Sequence, residues 1–168
     1  MRTYKIKDIG RIITGKTPST KEENYYNSED IMFICPPDIK NIRYINKSNK
    51  YISSVAFNDF KSIQLSPNTI VIDCIGADLG NVSLTIQDCI TNQQINAITE
   101  INTNVVYPLY LYYYFSTMKE YFHLIGQNGS TMPIINKSLF ENIQITIHDL
   151  IEQQHIVNTI SFLLLKSL

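Results

Sequence analysis

The sequence predicts an α+β fold: an irregular mixed or antiparallel β-sheet, one amphipathic helix, and a long C-terminal helix suited to coiled-coil pairing. Three observations carry that expectation. The stretch from Ile70 to Ile98 holds two β-branched runs separated by a glycine turn. Residues 108–125 repeat apolar side chains at helical spacing. Residues 149–168 do so again, with apolar residues on two sides. For a chain of 168 residues, these patterns divide into one domain over 1–148 and a helix over 149–168.

Taken in order, Ile6, Ile9, Ile12 and Ile13 flank Gly10 and lead into Thr14-Gly15-Lys16-Thr17-Pro18-Ser19-Thr20-Lys21. A loop so rich in hydroxyls and lysine suits phosphate contacts. It is not a Walker A loop, because one glycine precedes Lys16-Thr17 and the G-x-x-x-x-G-K-[ST] spacing is missing. Ile31 to Ile34 reads as a short buried strand stopped by Pro36-Pro37. Residues 38–58 read as long connecting loops with short strands, anchored by Ile42, Tyr44, Ile45, Tyr51 and Ile52. Pro67-Asn68 turns the chain into the central unit.

Ile70-Val71-Ile72 opens that unit as a buried strand. Gly76 and Gly80 mark a turn needing backbone angles that glycine adopts cheaply. Val82, Leu84 and Ile86 alternate with Ser83 and Thr85, the pattern of a half-buried returning strand. Thr91-Asn92-Gln93-Gln94 then sets four amide or hydroxyl side chains before the next apolar run. Amides can bond base edges, or they can bond the backbone of an irregular β-structure.

Leu111, Phe115, Met118, Phe122 and Ile125 fall within about 80° of one another on a helix opened by Pro108 and stopped by Gly126. Tyr110, Tyr114 and Tyr121 flank that stripe, as core or as a stacking surface. Gln127, Asn128, Ser130 and Thr131 belong to a second loop rich in glycine, amides and hydroxyls. Ser138 to Glu141 fits a capping box, and Ile143, Ile145 and Ile147 alternate as a closing strand. Asp149 and Glu152 fit a second capping box. Leu150, Ile156, Val157, Ile160, Leu163, Leu164 and Leu168 then make a helical stripe about 140° wide. Ile151, Phe162 and Leu165 form a second sector on roughly the opposite side. One domain surface covers only one sector, so the helix implies a partner.

Net charge is −1, which argues against a generic polyanion binder. The distribution is uneven: residues 1–61 hold 11 of the 14 Lys and Arg against 7 acids, and residues 62–168 hold 3 against 8. The basic half, with Lys40, Arg43, Lys47 and Lys50 beside the Lys16–Lys21 loop, could face nucleic acid. Cys35, Cys74 and Cys89 lack Cys-x-x-Cys spacing and read as reduced thiols, and no metal-ligand spacing joins His123, His148 or His155. No signal peptide or membrane span is expected, and the expected compartment is the cytoplasm. Pro37-Asp38 with Asp59-Phe60-Lys61 imitates the PD-(D/E)xK pattern of metal-dependent nucleases, the one catalytic alternative. No other catalytic centre stands out.

Four stretches together resemble the target-recognition domain of type I restriction-modification specificity subunits. They are Ile9-Gly10 through Pro18, Ile75 through Gly80, Thr91 through Ile98, and Gly126 through Leu150 with Gly129-Ser130-Thr131-Met132-Pro133 and Phe140-Glu141-Asn142-Ile143. Glu152-Gln153-Gln154 is similar to the opening of the family's conserved helix. The resemblance implies that residues 1–148 recognise DNA and that 149–168 begin the pairing helix. It implies no catalysis here: methylation and cleavage would belong to methyltransferase and restriction subunits, with S-adenosylmethionine, ATP and Mg²⁺. Lys16, Thr17, Ser19, Thr20, Lys21, Lys40, Arg43, Lys47 and Lys50 are then expected to hold phosphates of double-stranded DNA. Gln93, Gln94, Gln127, Asn128, Ser130 and Thr131 are expected to approach bases. Ile151, Ile156, Ile160, Phe162, Leu163 and Leu165 are expected to meet a partner helix. The family's prolines before Glu-Gln are replaced by Thr146, His148 and Asp149, which implies a different entry angle for the helix. One recognition domain and one helix fit either a half-length subunit that dimerises or a fragment.

Overall fold

Among the described residues the β-structure divides into three sheets. The structure is a computed structural model that describes residues 1–40, 42–127 and 132–166. Strands β1 (Arg2–Lys5), β2 (Arg11–Thr14) and β3 (Ile31–Ile34) come first. β4 (Tyr44–Ile45) and β5 (Tyr51–Ile52) precede helix α1 (Ser54–Asp59). The middle holds β6 (Ile70–Asp73), β7 (Val82–Thr85), β8 (Cys89–Thr91) and β9 (Ile95–Thr99). Helices α2 (Pro108–Ser116), α3 (Lys119–Gly126) and α4 (Lys137–Asn142) lead to β10 (Gln144–Ile147) and α5 (Leu150–Lys166).

The five-stranded sheet runs β2-β9-β6-β7-β4, antiparallel except where β4 joins β7. Ile70, Ile72, Leu84 and Ile98 on one face pack against α2, α3 and α4 through Leu111, Phe115, Phe122 and Phe140. Val71, Ile95 and Ala97 on the other face meet Met32, Ile34 and Cys89 of the three-stranded sheet β5-β3-β8. Phe33, Ile52 and Ile90 on the far side of that sheet pack on Ala56 of α1. β1 and β10 pair antiparallel, tying residues 2–5 to 144–147.

This layering explains β7. The expected half-buried strand is buried on both faces, with Ser83 and Thr85 fully inside. Thr85 stays satisfied because its Oγ1 donates to the Ser66 carbonyl at 2.8 Å and accepts from the Thr69 amide at 3.1 Å. Ile86, read as part of the strand, lies beyond its end and is exposed.

The helix expected over 108–125 is two helices with a break at Thr117-Met118. Ser116 Oγ donates to the Tyr112 carbonyl and Thr117 Oγ1 to the Tyr114 carbonyl, competing with the backbone ladder at that point. Gly126 does not stop the helix in a left-handed conformation; it is the last residue of α3. A Cβ there would press on Leu79, Pro133 and Ile134, so its role is close packing. Two short features escape the sequence pattern. Ser53 caps α1 by accepting from the Ala56 amide, and Asn136, not Ser138, caps α4 by accepting from Leu139. Tyr110 belongs to the core, its hydroxyl 2.8 Å from His148 Nδ1. Cys74 and Cys89 are buried, Cys35 half-buried, and all three are free thiols. Burial pushes the first two up to about 12.

Asp149 caps α5 by accepting from the Glu152 amide at 3.0 Å. One of the two apolar sectors was expected to lie on the domain's own strands. Instead α5 packs on α2, and only Gln153 and Val157 are buried. Gln153 fastens the helix: its Oε1 accepts from the Tyr107 amide at 3.0 Å, and its Nε2 donates to the carbonyls of Val105 and His148 at 2.9 and 2.8 Å. Past Ser161 the helix stands clear, with Phe162, Leu163, Leu164 and Leu165 exposed; Leu168 lies outside the described residues. Gln153→Leu should leave one amide and two carbonyls unpaired in the core. We expect a loss of about 2–4 kcal/mol, read by urea unfolding, whereas Gln154→Leu at an exposed site should change little.

Candidate nucleic-acid interface

Five strands end on the same side of the molecule. Thr14 at the end of β2 faces Asn96, and Asp73 at the end of β6 faces Ile95. Ile34 at the end of β3 faces Thr91 at the end of β8. The loops leaving these ends are therefore neighbours, although they lie far apart in sequence.

Gly15 is the point of closest approach: a Cβ there would collide with the carbonyl oxygens of Thr91 and Asn92. That contact lets the Lys16 amide donate to the Thr91 carbonyl at 2.9 Å and Thr17 Oγ1 donate to Gln93 Oε1 at 2.7 Å. Asn96 stitches the layer beneath. Its Oδ1 accepts from Thr14 Oγ1, and its Nδ2 donates to Cys74 Sγ and to the Ile135 carbonyl at 3.1 Å. The glycine turn joins in, as the Gly76 amide donates to the Pro133 carbonyl at 2.9 Å.

The expected contact residues divide accordingly. Lys16, Thr17, Ser19, Thr20 and Lys21 are exposed, with Lys16 Nζ 5.6 Å from the Phe60 ring and Ser19 Oγ accepting from the Lys21 amide. Gln93 is exposed, whereas Gln94 is half-buried and bonded to Asn92 Nδ2 at 3.0 Å. Lys40 lines a separate groove with Asp78, Asn81 and Lys119. Arg43 is half-buried between the rings of Tyr44 and Tyr113, at 5.9 and 5.4 Å, so it is a packing cation at the sheet edge. Lys47 and Lys50 are exposed, the Lys50 carbonyl accepting from Phe33 beside the end of β3. Gln127 is exposed; Asn128, Ser130 and Thr131 lie outside the described residues. Sequence reasoning missed Lys137, which lines a cleft of about 210 Å³ with Thr14, Gln93 and Asn136. The signal was the Asn136 cap, which places the next residue at the mouth of that cleft.

Residues 1–165 match the family described as Type I restriction modification DNA specificity domain. The chain belongs to this family. The specificity domain is 33% identical over 140 residues to the type I restriction enzyme HindI specificity subunit of Haemophilus influenzae, covering 83% of this chain and 30% of that protein. Against the MjaIX specificity subunit of Methanocaldococcus jannaschii it is 34% identical over 162 residues, covering 94% and 36%. The chain thus spans about a third of the length of these relatives. Its fold is shared with a chain of a type I restriction-modification complex, with a TM-score of 0.75 and 17% identity over 98% of this chain and 38% of that one. The HsdS subunit from Thermoanaerobacter tengcongensis gives 0.69 and 16% over 98% and 37%.

The nuclease alternative fails in this specificity domain. Asp38 is held by four donors: the amides of Cys35 and Asn49, Ser48 Oγ, and Asn49 Nδ2 at 2.6 Å. Asp59 ends a helix and accepts from Tyr25 OH, and Lys61 lies in a 3₁₀ turn, so neither sits on the required strand. Among the described residues no group of three His, Cys, Asp or Glu is placed to hold a metal ion.

Asp73 lies fully buried under the glycine turn. Burial pushes its carboxyl up to about 6, against a 3.3 Å bond from the Ile75 amide; its Oδ2 is unpaired among the described residues. Because the folded value exceeds the unfolded 3.8, the proton is held more tightly in the folded state. Stability from this group is full below about pH 4 and is lost as pH rises through 6. Asp73→Asn should flatten the pH dependence of the unfolding free energy across that window, by up to about 3 kcal/mol, read by urea unfolding at a series of pH values. An unaltered pH profile in the variant would contradict this assignment.

Proposed function

We propose that this chain is a non-catalytic, sequence-specific DNA-recognition domain of a type I restriction-modification system, reading one half-site. The observation that carries the reading is the meeting of the Lys16–Lys21 loop with Gln93 at one end of the sheet, made possible by Gly15. It sets phosphate-binding side chains beside an exposed amide on a rigid scaffold, the arrangement that separates positioning contacts from base readout. The family match and the names of the relatives, both specificity subunits, support the same reading.

On this reading Lys16, Lys21, Lys47 and Lys50 neutralise phosphates, Thr17, Ser19 and Thr20 hydrogen-bond to them, and Gln93 with Gln127 faces bases. Methyl transfer and cleavage belong to methyltransferase and restriction subunits, which bring S-adenosylmethionine, ATP and Mg²⁺. The domain works in the cytoplasm, where that machinery meets DNA. Replacing Lys16 and Lys21 by Ala should weaken binding to all duplexes alike and lower the salt slope by about 2. Fluorescence anisotropy across a salt series measures it, and an unchanged slope refutes the phosphate assignment.

The bare end of α5 serves the second half of the recognition unit. Ile151, Phe162, Leu163 and Leu165 are exposed, and Ile156 and Ile160 are half-covered, so the helix keeps apolar surface open in both of its sectors. A second copy or a second half-subunit covers this apolar surface through a paired helix. The chain should self-associate in a salt-resistant way, because apolar contacts are not screened by ions. Sedimentation at low and high salt should show dimers of the full chain and monomers of the Leu163→Glu, Leu165→Glu variant. A full chain that stays monomeric at high concentration rejects the pairing role.

A further inference from the structure

Residues 75–80 form a narrow ridge between two recesses. Ile75 lines the cleft that holds Gln93 and Lys137, and Asp78 lines the groove that holds Lys40 and Lys119. The ridge is firmly set. Gly76 and Gly80 take φ of +81° and +88°, Leu79 is fully buried beneath, and the Gly80 amide donates to the Asp73 carbonyl at 2.8 Å. Ala77 and Asp78 stand exposed at its crest.

The Asp78 carboxylate is oriented through a chain of contacts. Its Oδ1 accepts from Asn81 Nδ2 at 3.4 Å. The same Nδ2 donates to the Ile39 carbonyl at 3.2 Å, and Asn81 Oδ1 accepts from Lys119 Nζ at 2.7 Å. Asp78 Oδ2 has no partner among the described residues.

A carboxylate on the crest of a surface that binds a polyanion opposes that binding unless it accepts a hydrogen bond from the nucleic acid. In the major groove, guanine and thymine offer the carboxylate no donor. Adenine sets its N6 amine beside the N7 acceptor, which repels a second carboxylate oxygen. Cytosine N4 is the donor that a carboxylate takes best. Cations on both flanks of the ridge match the two phosphate backbones that border a groove.

We propose that residues 75–80 enter the major groove and that Asp78 reads a cytosine through its N4 amine, with Lys40 and Lys119 on one flank and Lys137 on the other holding phosphates. This deepens the DNA-recognition reading and rests on it.

Selection from a randomised duplex pool by the full 168-residue chain tests it. The native chain should enrich a motif containing a C·G pair, preferred about tenfold over the other pairs at that position. Asp78→Asn, which keeps the size and adds a donor, should move that one position toward adenine, and Asp78→Ala should erase its preference, both leaving the rest of the motif intact. Lys40→Ala should weaken all duplexes alike and lower the salt slope by about 1. A motif unchanged in both Asp78 variants overturns the proposal, as does lowered thermal stability with the motif intact, which would make Asp78 a scaffold residue. If the native chain enriches no motif, the DNA-recognition reading itself fails, and that result is distinct from a native motif indifferent to Asp78.

Discussion

The molecule depends on one tight crossing, where the chain at Gly15 passes against the carbonyls of Thr91 and Asn92. Nothing larger than hydrogen fits on that α-carbon, and the bonds from Lys16 and Thr17 to the β8–β9 connection exist only because of it. Polar groups brought together at the end of a sheet must be paired or wet. Asn96 pairs them, linking the end of β2, the residue after β6 and the segment before α4 in one buried amide. Three distant stretches of chain are therefore tied together through one side chain. A surface that discriminates between similar ligands needs that rigidity in its support, because the energy separating right from wrong is a few kcal/mol.

How much of this was readable follows from what each element answers to. Strand positions in the central unit were clear, because Ile70-Val71-Ile72 is a β-branched run and Ile95, Ala97 and Ile98 resume the apolar pattern after the amides. The burial of β7 was not, since an alternating pattern reports one wet face and this strand has none. Its Ser83 and Thr85 mimic solvent-facing residues while lying between two layers. The break in the helix after residue 116 hid for a related reason: apolar spacing continues through it, and only Ser116 and Thr117, bonding backward to the preceding turn, interrupt the ladder.

The candidate site shows the same division. Lysine, hydroxyl and amide content marked residues 14–21 and 91–94 separately. Their juxtaposition is a property of strand register, Thr14 against Asn96, which local composition does not encode. Arg43 looked like one more surface cation because nothing in its neighbourhood in sequence announces Tyr113, which supplies one of the rings beside it. Lys137 was overlooked because its place at the cleft is set by the cap at the residue before it, Asn136, and Ser138 offered a competing cap.

The fastening of α5 has a mechanical consequence. Beyond Val157 the helix continues for about nine residues, or roughly 14 Å at 1.5 Å per residue. It is thus a lever with its fulcrum at Gln153. The tip lies 13 residues, or about 20 Å, beyond that fulcrum, so a tilt of about 10° displaces it by about 3.4 Å, roughly two-thirds of a helical pitch. The three hydrogen bonds of one buried amide therefore act as a goniometer, fixing the direction in which whatever the helix carries is held relative to the strand-end face.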